Sequence, residues 1–537
     1  MSARPASARH RTPLAWGGVL LAALAGCASA TRLAPAGPAA GPPGVAREFR
    51  GLWVATVNNL DWPSASGLPV DSQKVELLAI LDRALQLRLN AVIFQVRTQA
   101  DALYESQLEP WSEYLSGAMG RSPGYDPLRF AIDAAHQRGL ELHAWFNPFR
   151  ARTPAVRSPV SPTHISVSQP ELVRRYGTHL WMDPGEPAVH QRTIDVVLDV
   201  VRRYDVDGIH IDDYFYPYRE LDSARTEIPF PDDAAWDRYR AAAGRLSRSD
   251  WRRQNVDRFV ERLYREVHAV NPSVKVGVSP IGMWRPGYPA EACCFDAWEQ
   301  IYADARKWFA EGWLDYFVPQ LYRPMADTLM NYGVMLGWWA EQNRQGRHLY
   351  AGLAPYRVRS ARQPDGWPRD EIVGQIYVAR GHPGARGHVH FSARSLMAET
   401  DSLVQRLERT VYRTPALVPL MPWLRRGPAP APPRISLVLG ESPAEATLAI
   451  QPANPAFVRN WVVRARFGGR WQVEVVPGSR REVPLRGAGP LREVAVSAVD
   501  RYGQESRLAL ATPAIGRRPA PRPAGRARDA GNDRPGG

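Results

Sequence analysis

The densest chemistry in the sequence is the run Asp207-Gly208-Ile209-His210-Ile211-Asp212-Asp213-Tyr214-Phe215-Tyr216-Pro217. It alternates as a strand does, so His210, Asp212 and Tyr214 share one face and Ile209, Ile211 and Asp213 the other. Two adjacent carboxylates at the end of an apolar strand are costly to bury without partners and are poised for acid, base or charge-stabilising work. A plainer arrangement has Asp213 capping a loop or pairing with an arginine while Asp212 alone faces the site.

A second chemistry is written in the histidines. His143, His210, His388 and His390 all fall in apolar runs, and His388-x-His390 puts two rings on one face of a strand. With Asp212 they form a candidate divalent-metal set, which would make a metal-dependent hydrolase or deacetylase. Buried histidines that merely satisfy a core are common, so the carboxylates take precedence and no metal or cofactor is expected.

These residues need elements to hold them. Eight short apolar runs follow one another: Phe49 to Val57, Asn90 to Arg97, Glu141 to Phe149, Asp207 to Tyr214, Lys275 to Ile281, Asp315 to Tyr322, Leu349 to Tyr356 and Gly387 to Ser392. Their β-branched and aromatic content predicts strands. Helical stretches lie between them. Asp126-Pro127 predicts a capped helix start, and Gly139, Gly312, Gly346 and Gly381 stand just past helical runs. Val75, Leu78, Leu81, Leu85 and Leu89 form one apolar stripe, and Ile194, Val197, Leu198 and Val201 another. Eight strands alternating with helices predict a (β/α)8 TIM barrel over residues 47–425. An open doubly wound sheet is the alternative, but no glycine-rich phosphate motif follows the first strand. Beyond the proline-rich 427–433, five short runs without helical pattern predict an all-β sandwich over 434–512 that resembles fibronectin type III.

Composition narrows the partners. The net charge is +14, but half of that excess lies in the first 27 residues and in the tail from Pro513. Lys74, Lys275 and Lys307 are the only lysines beside 65 arginines, which is compositional bias rather than a phosphate-binding face, and nucleic acid is not expected. Three cysteines exclude a disulfide scaffold, and the adjacent Cys293 and Cys294 are expected as two free thiols rather than a vicinal disulfide. At the start, Arg4 to Arg11, the apolar Leu14 to Ala25 and Leu24-Ala25-Gly26-Cys27 make a signal segment (residues 1–27) whose end resembles the bacterial lipobox. Lipid attachment at Cys27 is expected, with Ala28 after it favouring the outer membrane. Residues 28–46 form a flexible tether of Pro, Ala and Gly, and 513–537 a disordered tail of the same character.

Several motifs, in order, resemble one family. They are Phe49-Arg50-Gly51-Leu52-Trp53-Val54, Phe94-Gln95-Val96-Arg97, Asp101-Ala102-Leu103-Tyr104, Glu109-Pro110-Trp111-Ser112, Ala144-Trp145-Phe146-Asn147-Pro148, Asp207 to Pro217, Val278-Ser279-Pro280 and Val318-Pro319-Gln320-Leu321-Tyr322. Together they are similar to the glycosyl hydrolase-like family 10 proteins, with Thr98 standing where that family commonly has proline. A half-resemblance to the chitinase signature DGxDxDxE fails at two positions, where His210 replaces the middle Asp and Tyr214 the acidic Glu. The family resemblance implies a glycosidase of the cell envelope, acting on peptidoglycan glycan strands without stem peptides, with cell-division proteins as partners.

Glycoside hydrolysis normally takes two carboxyl groups. Asp212 is the first, and the resemblance to barrel glycosidases casts it as nucleophile. For the second, Asp213 comes first, then Asp101, then Glu109; Glu105 is another acid of that loop. An N-acetyl group of the substrate is an alternative nucleophile, in which case Gln320 and Tyr322 orient the amide and Asp212 stabilises it. Arg97, Asn147, Arg150, Tyr214, Ser279, Gln320 and Tyr322 follow or close strands and can bind sugar hydroxyls. Trp62, Trp111, Trp145 and Trp284 offer flat faces for pyranose rings, Trp145 being better placed for the core.

Overall fold

Each of the eight apolar runs forms a parallel strand in the computed structural model, which describes residues 41–155, 158–360, 363–398, 403–424 and 427–513. The strands are β1 (Phe49–Val54), β2 (Ala91–Arg97), β3 (Glu141–Phe146), β4 (Gly208–Ile211), β5 (Lys275–Val278), β6 (Tyr316–Phe317), β7 (His348–Leu353) and β8 (Ala385–His390). They pair in sequence order and close, β8 on β1, into a barrel. Helices follow the strands, among them α1 (Val70–Gln86), α2 (Pro127–His136), α3 (Pro187–Arg203) and α4 (Arg248–Val270). Strands covered on both faces need continuous apolar sequence, which is why these runs are legible. The expected Cys27 anchor, the signal segment and nearly all of the tether and tail lie outside the described residues.

Local chemistry sets the element ends. Asp126 accepts from Arg129 N with Pro127 in the first turn of α2, and Gly312 caps the helix Ala305–Glu311 in the left-handed region. Gly381 is instead the last residue of its helix. Seven of the eight strands are shorter than their apolar runs, β6 and β4 the most in proportion. β6 stops before Pro319, which has no N–H for the ladder, and β4 stops at Ile211 because the chain turns, Phe215 N donating to Asp213 O at 3.1 Å. On α1 the predicted stripe is corrected. Val75 and Leu85 are exposed, while Leu77, Ile80, Leu81 and Ala84 are buried, since a second stripe rotated slightly around the helix is equally apolar. Ile194, Val197, Leu198 and Val201 are buried on α3 as the spacing predicts.

The barrel interior is partly polar. Tyr316 accepts or donates to both His143 Nδ1 (2.7 Å) and His210 Nδ1 (3.2 Å), and Trp53 Nε1 donates to His210 Nε2 at 3.3 Å. Below them Glu141 contacts His143 Nε2 at 3.1 Å and pairs with Lys275. Two strand glycines make room for these rings. A Cβ at Gly208 would lie 2.4 Å from His143 Nδ1, and one at Gly277 2.0 Å from Tyr316 Cζ. On the outer side of β8, His388 and His390 each bond Tyr412 OH at 2.6 Å.

The C-terminal region holds seven strands, two more than the sequence suggested. A sheet of Arg434–Leu439, Glu445–Gln451 and Glu482–Arg486 faces one of Asn460–Phe467, Arg470–Pro477, Leu491–Val499 and Ala509–Ala511. All neighbours are antiparallel, and Leu448, Trp461, Val483 and Val496 are buried in the core between the sheets. Glu482–Arg486 and Ala509–Ala511 escape the sequence because they are short and, in part, exposed. The sandwich seats on the N-terminal end of the barrel, where Arg459 meets Asp205 (2.9 Å) and Asp207 (3.3 Å) and Arg501 meets Asp205 (3.1 Å). The expectation of free thiols is also corrected, since Cys293 and Cys294 are joined as a vicinal disulfide in the loop after β5.

Gly277→Ala should lose about 2 kcal/mol or more of stability, because neither β5 nor the buried Tyr316 ring can retreat. Chemical denaturation measures it, and an unchanged midpoint would show that the ring can swing aside.

Candidate active site

At the C-terminal mouth of the barrel the carboxylates of Asp212 and Asp213 are both almost fully buried. The expectation that Asp213 turns away does not hold, because β4 has already ended and the alternation with it. Asp213 is held from the β6 side, where Gln320 Nε2 donates to it at 2.9 Å and to Ser279 O at 3.2 Å, and it also accepts from the Tyr218 hydroxyl. Asp212 is held from the β3 side by Asn147 Nδ2, with Tyr214 N at 3.5 Å.

The Asn147 contact is forced by a relay of amides. Gln95 Oε1 accepts from Thr56 N (2.8 Å) and Val57 N (2.9 Å), which leaves its Nε2 to donate to Asn147 Oδ1 at 2.6 Å. Arg150 donates to the same oxygen at 2.7 Å. With its acceptor filled twice, Asn147 can present only N–H to Asp212. Arg150 is fixed in turn by Thr98 O at 2.9 Å, and its guanidinium lies 4.6 Å from the Tyr214 ring centre.

Electrostatics follow from this packing. Burial and the neighbouring Asp213 carboxylate push Asp212 up to about 7, against the opposing pull of Arg150 and the nearby Trp145 indole. Burial raises Asp213 as well, opposed by Tyr218, Gln320 and Arg150. Trp145 is buried, as its strand position suggests, and its indole N–H is directed at Asp212. Burial also lifts Tyr322 far above the ordinary tyrosine range, so its hydroxyl stays protonated.

Several expected sugar-binding residues have other work. Arg97 is wholly buried and pairs through two nitrogens with Glu109 (2.5 and 2.7 Å), also donating to Asn147 O at 2.6 Å. This removes Arg97 from the hydroxyl-binding set and Glu109 from the candidate acids, because each is the other's charge partner. Asp101 accepts from Thr98 N (3.0 Å), Thr98 Oγ1 (2.8 Å) and Gln99 N (2.8 Å), which spends its carboxylate on its own loop. A proline at position 98 would lack that N–H. Glu105 is exposed. Trp62 is core, with Nε1 donating to Gln73 O at 2.8 Å. Trp284 is covered by Trp338 and Arg306, so it offers no free face. Trp111, Tyr214, Gln320 and Tyr322 remain half-exposed, while Asn147, Arg150 and Ser279 are buried. Tyr218 and Gln95 were not singled out by sequence. Tyr218 had a faint signal in its place just after the paired acids, and Gln95 only its place in the Phe94-Gln95-Val96-Arg97 motif.

The metal reading is corrected too. Among the described residues no group of three or more His, Cys, Asp or Glu is placed to hold an ion. His143 and His210 share Tyr316, and His388 and His390 share Tyr412.

With this geometry in view, comparison with known proteins gives a match to the family described as Glycosyl hydrolase-like 10 over residues 48–367. The chain belongs to that family. It is similar to glycosyl hydrolase YngK of Bacillus subtilis (strain 168), 38% identical over 399 residues, which cover 73% of this chain and 77% of the relative. Glycosyl hydrolase DigH of Escherichia coli (strain K12) is 35% identical over 334 residues, covering 58% of this chain and 74% of that protein. Among solved structures, an alpha-L-fucosidase isoenzyme 2 from Paenibacillus thiaminolyticus aligns with a TM-score of 0.44 at 12% identity over 68% of this chain and 49% of that one. The chain is a glycosidase built on a TIM barrel.

The buried pair has a measurable cost. An unfolded aspartate ionises near pH 4 and the folded Asp212 near 7, so the fold loses stability progressively across that window and no further above it. Relative to wild type, Asp212→Asn should therefore gain up to roughly 4 kcal/mol between pH 4 and pH 8. Unfolding curves at the two pH values check this, and parallel behaviour of both proteins would show that Asp212 is ionised throughout.

Proposed function

We propose that this enzyme hydrolyses the glycan strands of peptidoglycan, those without stem peptides, with Asp212 and Asp213 as its catalytic pair. The observation that carries the catalytic assignment is the burial of two adjacent carboxylates around a single arginine. Near neutral pH such a pair keeps one proton. Asp212, raised to about 7, carries it and passes it to the leaving glycosidic oxygen. The ionised Asp213 attacks the anomeric carbon as the protonated leaving group departs, forming a glycosyl ester, and water then displaces Asp213 from that carbon while giving its proton back to Asp212. The role of nucleophile thus moves from Asp212 to Asp213. Half-exposed Trp111, Tyr214 and Tyr322 provide apolar surface for sugar rings, and the Tyr322 hydroxyl, which stays protonated, provides a donor.

The substrate reading draws on the family motifs and on the lipobox-like Leu24-Ala25-Gly26-Cys27. A lipid on Cys27 would keep the enzyme at the envelope, in the outer membrane facing the periplasm, beside its polymer.

Peptidoglycan glycans with and without stem peptides, incubated with residues 28–537 and analysed by mass spectrometry, test this reading. Peptide-free strands should give fragments with hydrolysed reducing ends, and Asp212→Asn and Asp213→Asn should each lower kcat by about a thousandfold or more while leaving chelator without effect. Intact strands, anhydro ends or loss on chelation would overturn it. The rate kcat/KM should fall as pH rises through about 7, where Asp212 loses its proton. Tyr218→Phe removes a donor that favours ionised Asp213, so the acid limb of the profile should move to higher pH.

A further inference from the structure

Gln320 and Tyr218, the two side chains that hold Asp213, also line a hollow of about 320 Å³ beside the paired acids. Tyr322 adds an aromatic wall and Met283 an apolar, adaptable one. Two arginines reach into it, Arg323 and Arg357, and no acid lines it. Arg323 leans toward Asp327 at 3.8 Å. Arg357 has no carboxylate within ion-pair distance among the described residues. What holds it is aromatic: its Nε donates to Tyr356 OH at 3.2 Å, and its guanidinium lies 5.5 and 5.8 Å from the ring centres of Tyr356 and Trp367.

A guanidinium steadied by rings, without an anion of its own, presents a planar fork that matches a carboxylate. Its place is also tied to the chemistry, because Tyr356, which accepts from Arg357, packs edge-on against Tyr322 with ring centres 6.1 Å apart, and Tyr322 lines the hollow beside Gln320 and Tyr218, which hold Asp213. We propose that this hollow is a subsite for a carboxylate-bearing sugar and that Arg357 pairs with that carboxylate.

The inference rests on the glycan-strand reading and sharpens it. In a strand without stem peptides every muramic acid residue ends its lactyl ether in a free carboxylate. A stem peptide converts that group to an amide, which cancels the charge and adds bulk. Selection of peptide-free strands then comes down to one ion pair and the walls around it. A uronic acid offers the same charge from a different sugar carbon.

Calorimetric binding to the Asp212→Asn enzyme, which should bind without turnover, separates these cases. Three ligands are compared: peptide-free muramyl oligosaccharide, the same oligosaccharide with its carboxylates converted to methylamides, and an oligouronate. Adding Arg357→Gln should weaken binding of the free acid by about tenfold or more and leave the methylamide unchanged. Arg357→Lys should restore part of the loss. Equal weakening of acid and amide, no weakening, or no binding of any of the three overturns the proposal. Binding of oligouronate alone, lost in Arg357→Gln, would keep the carboxylate subsite and overturn muramic acid as its ligand. Wild-type cleavage of peptide-free strands with an unchanged KM in Arg357→Gln would overturn this subsite while leaving the proposed reaction standing.

Discussion

Two neighbouring carboxylates cannot both ionise in a buried mouth unless something answers their charge, and much of the local structure is arranged around that constraint. One arginine, Arg150, acts on both acids. Two negative groups against one fixed positive group leave room for one proton, so the protonation state needed for acid-assisted chemistry is the electrostatically favoured one. The relay from Thr56 and Val57 through Gln95 to Asn147 then fixes which oxygen of Asp212 is held and which is left for a ligand. Each member of that relay has its donor or acceptor committed by the one before it. The precision of the site therefore comes from backbone groups just after β1, three strands away around the barrel.

Behind this layer the charges are closed off in pairs. Arg97 with Glu109 and Glu141 with Lys275 each neutralise locally. Breaking a buried pair costs about 3–5 kcal/mol because an uncompensated charge is left behind, whereas the intact pair is close to neutral for stability. The tyrosine and histidine rings of the interior do for hydrogen bonding what these pairs do for charge. Rings bridged by Tyr316 fill the barrel, and burial, with His143 beside it, holds His210 well below the ordinary histidine range, so it presents no charge beneath Asp212. A charged His210 there would pull Asp212 toward ionisation and remove its proton.

What the sequence discloses and what it hides divide along a physical line. The eight barrel strands were legible because strands buried on both faces must be apolar throughout, and Asp212-Asp213 was legible because charge at the end of such a strand is conspicuous. The facing direction of Asp213 was not, since it depends on where β4 ends. Arg97 looked like a sugar ligand and Glu109 like a spare acid until folding brought them together across the loop. The same holds for Trp62 and Trp284, whose neighbours Gln73 and Trp338 lie in other elements. On α1, Val75 and Leu85 were misplaced because a helix with two overlapping apolar stripes does not say which one faces the barrel. Residue type marks capacity, while partners, which decide role, are long-range.

The position of the sandwich extends the same division to the whole chain. It grips the N-terminal end of the barrel through Arg459 and Arg501 and through a small apolar contact in which Leu417, Val462 and Val499 are buried together. The chemistry sits at the other end, where the strands deliver Asp212, Asn147 and Gln320. A domain docked at the opposite pole adds buried surface to the barrel without narrowing the mouth that holds Asp212 and Asp213.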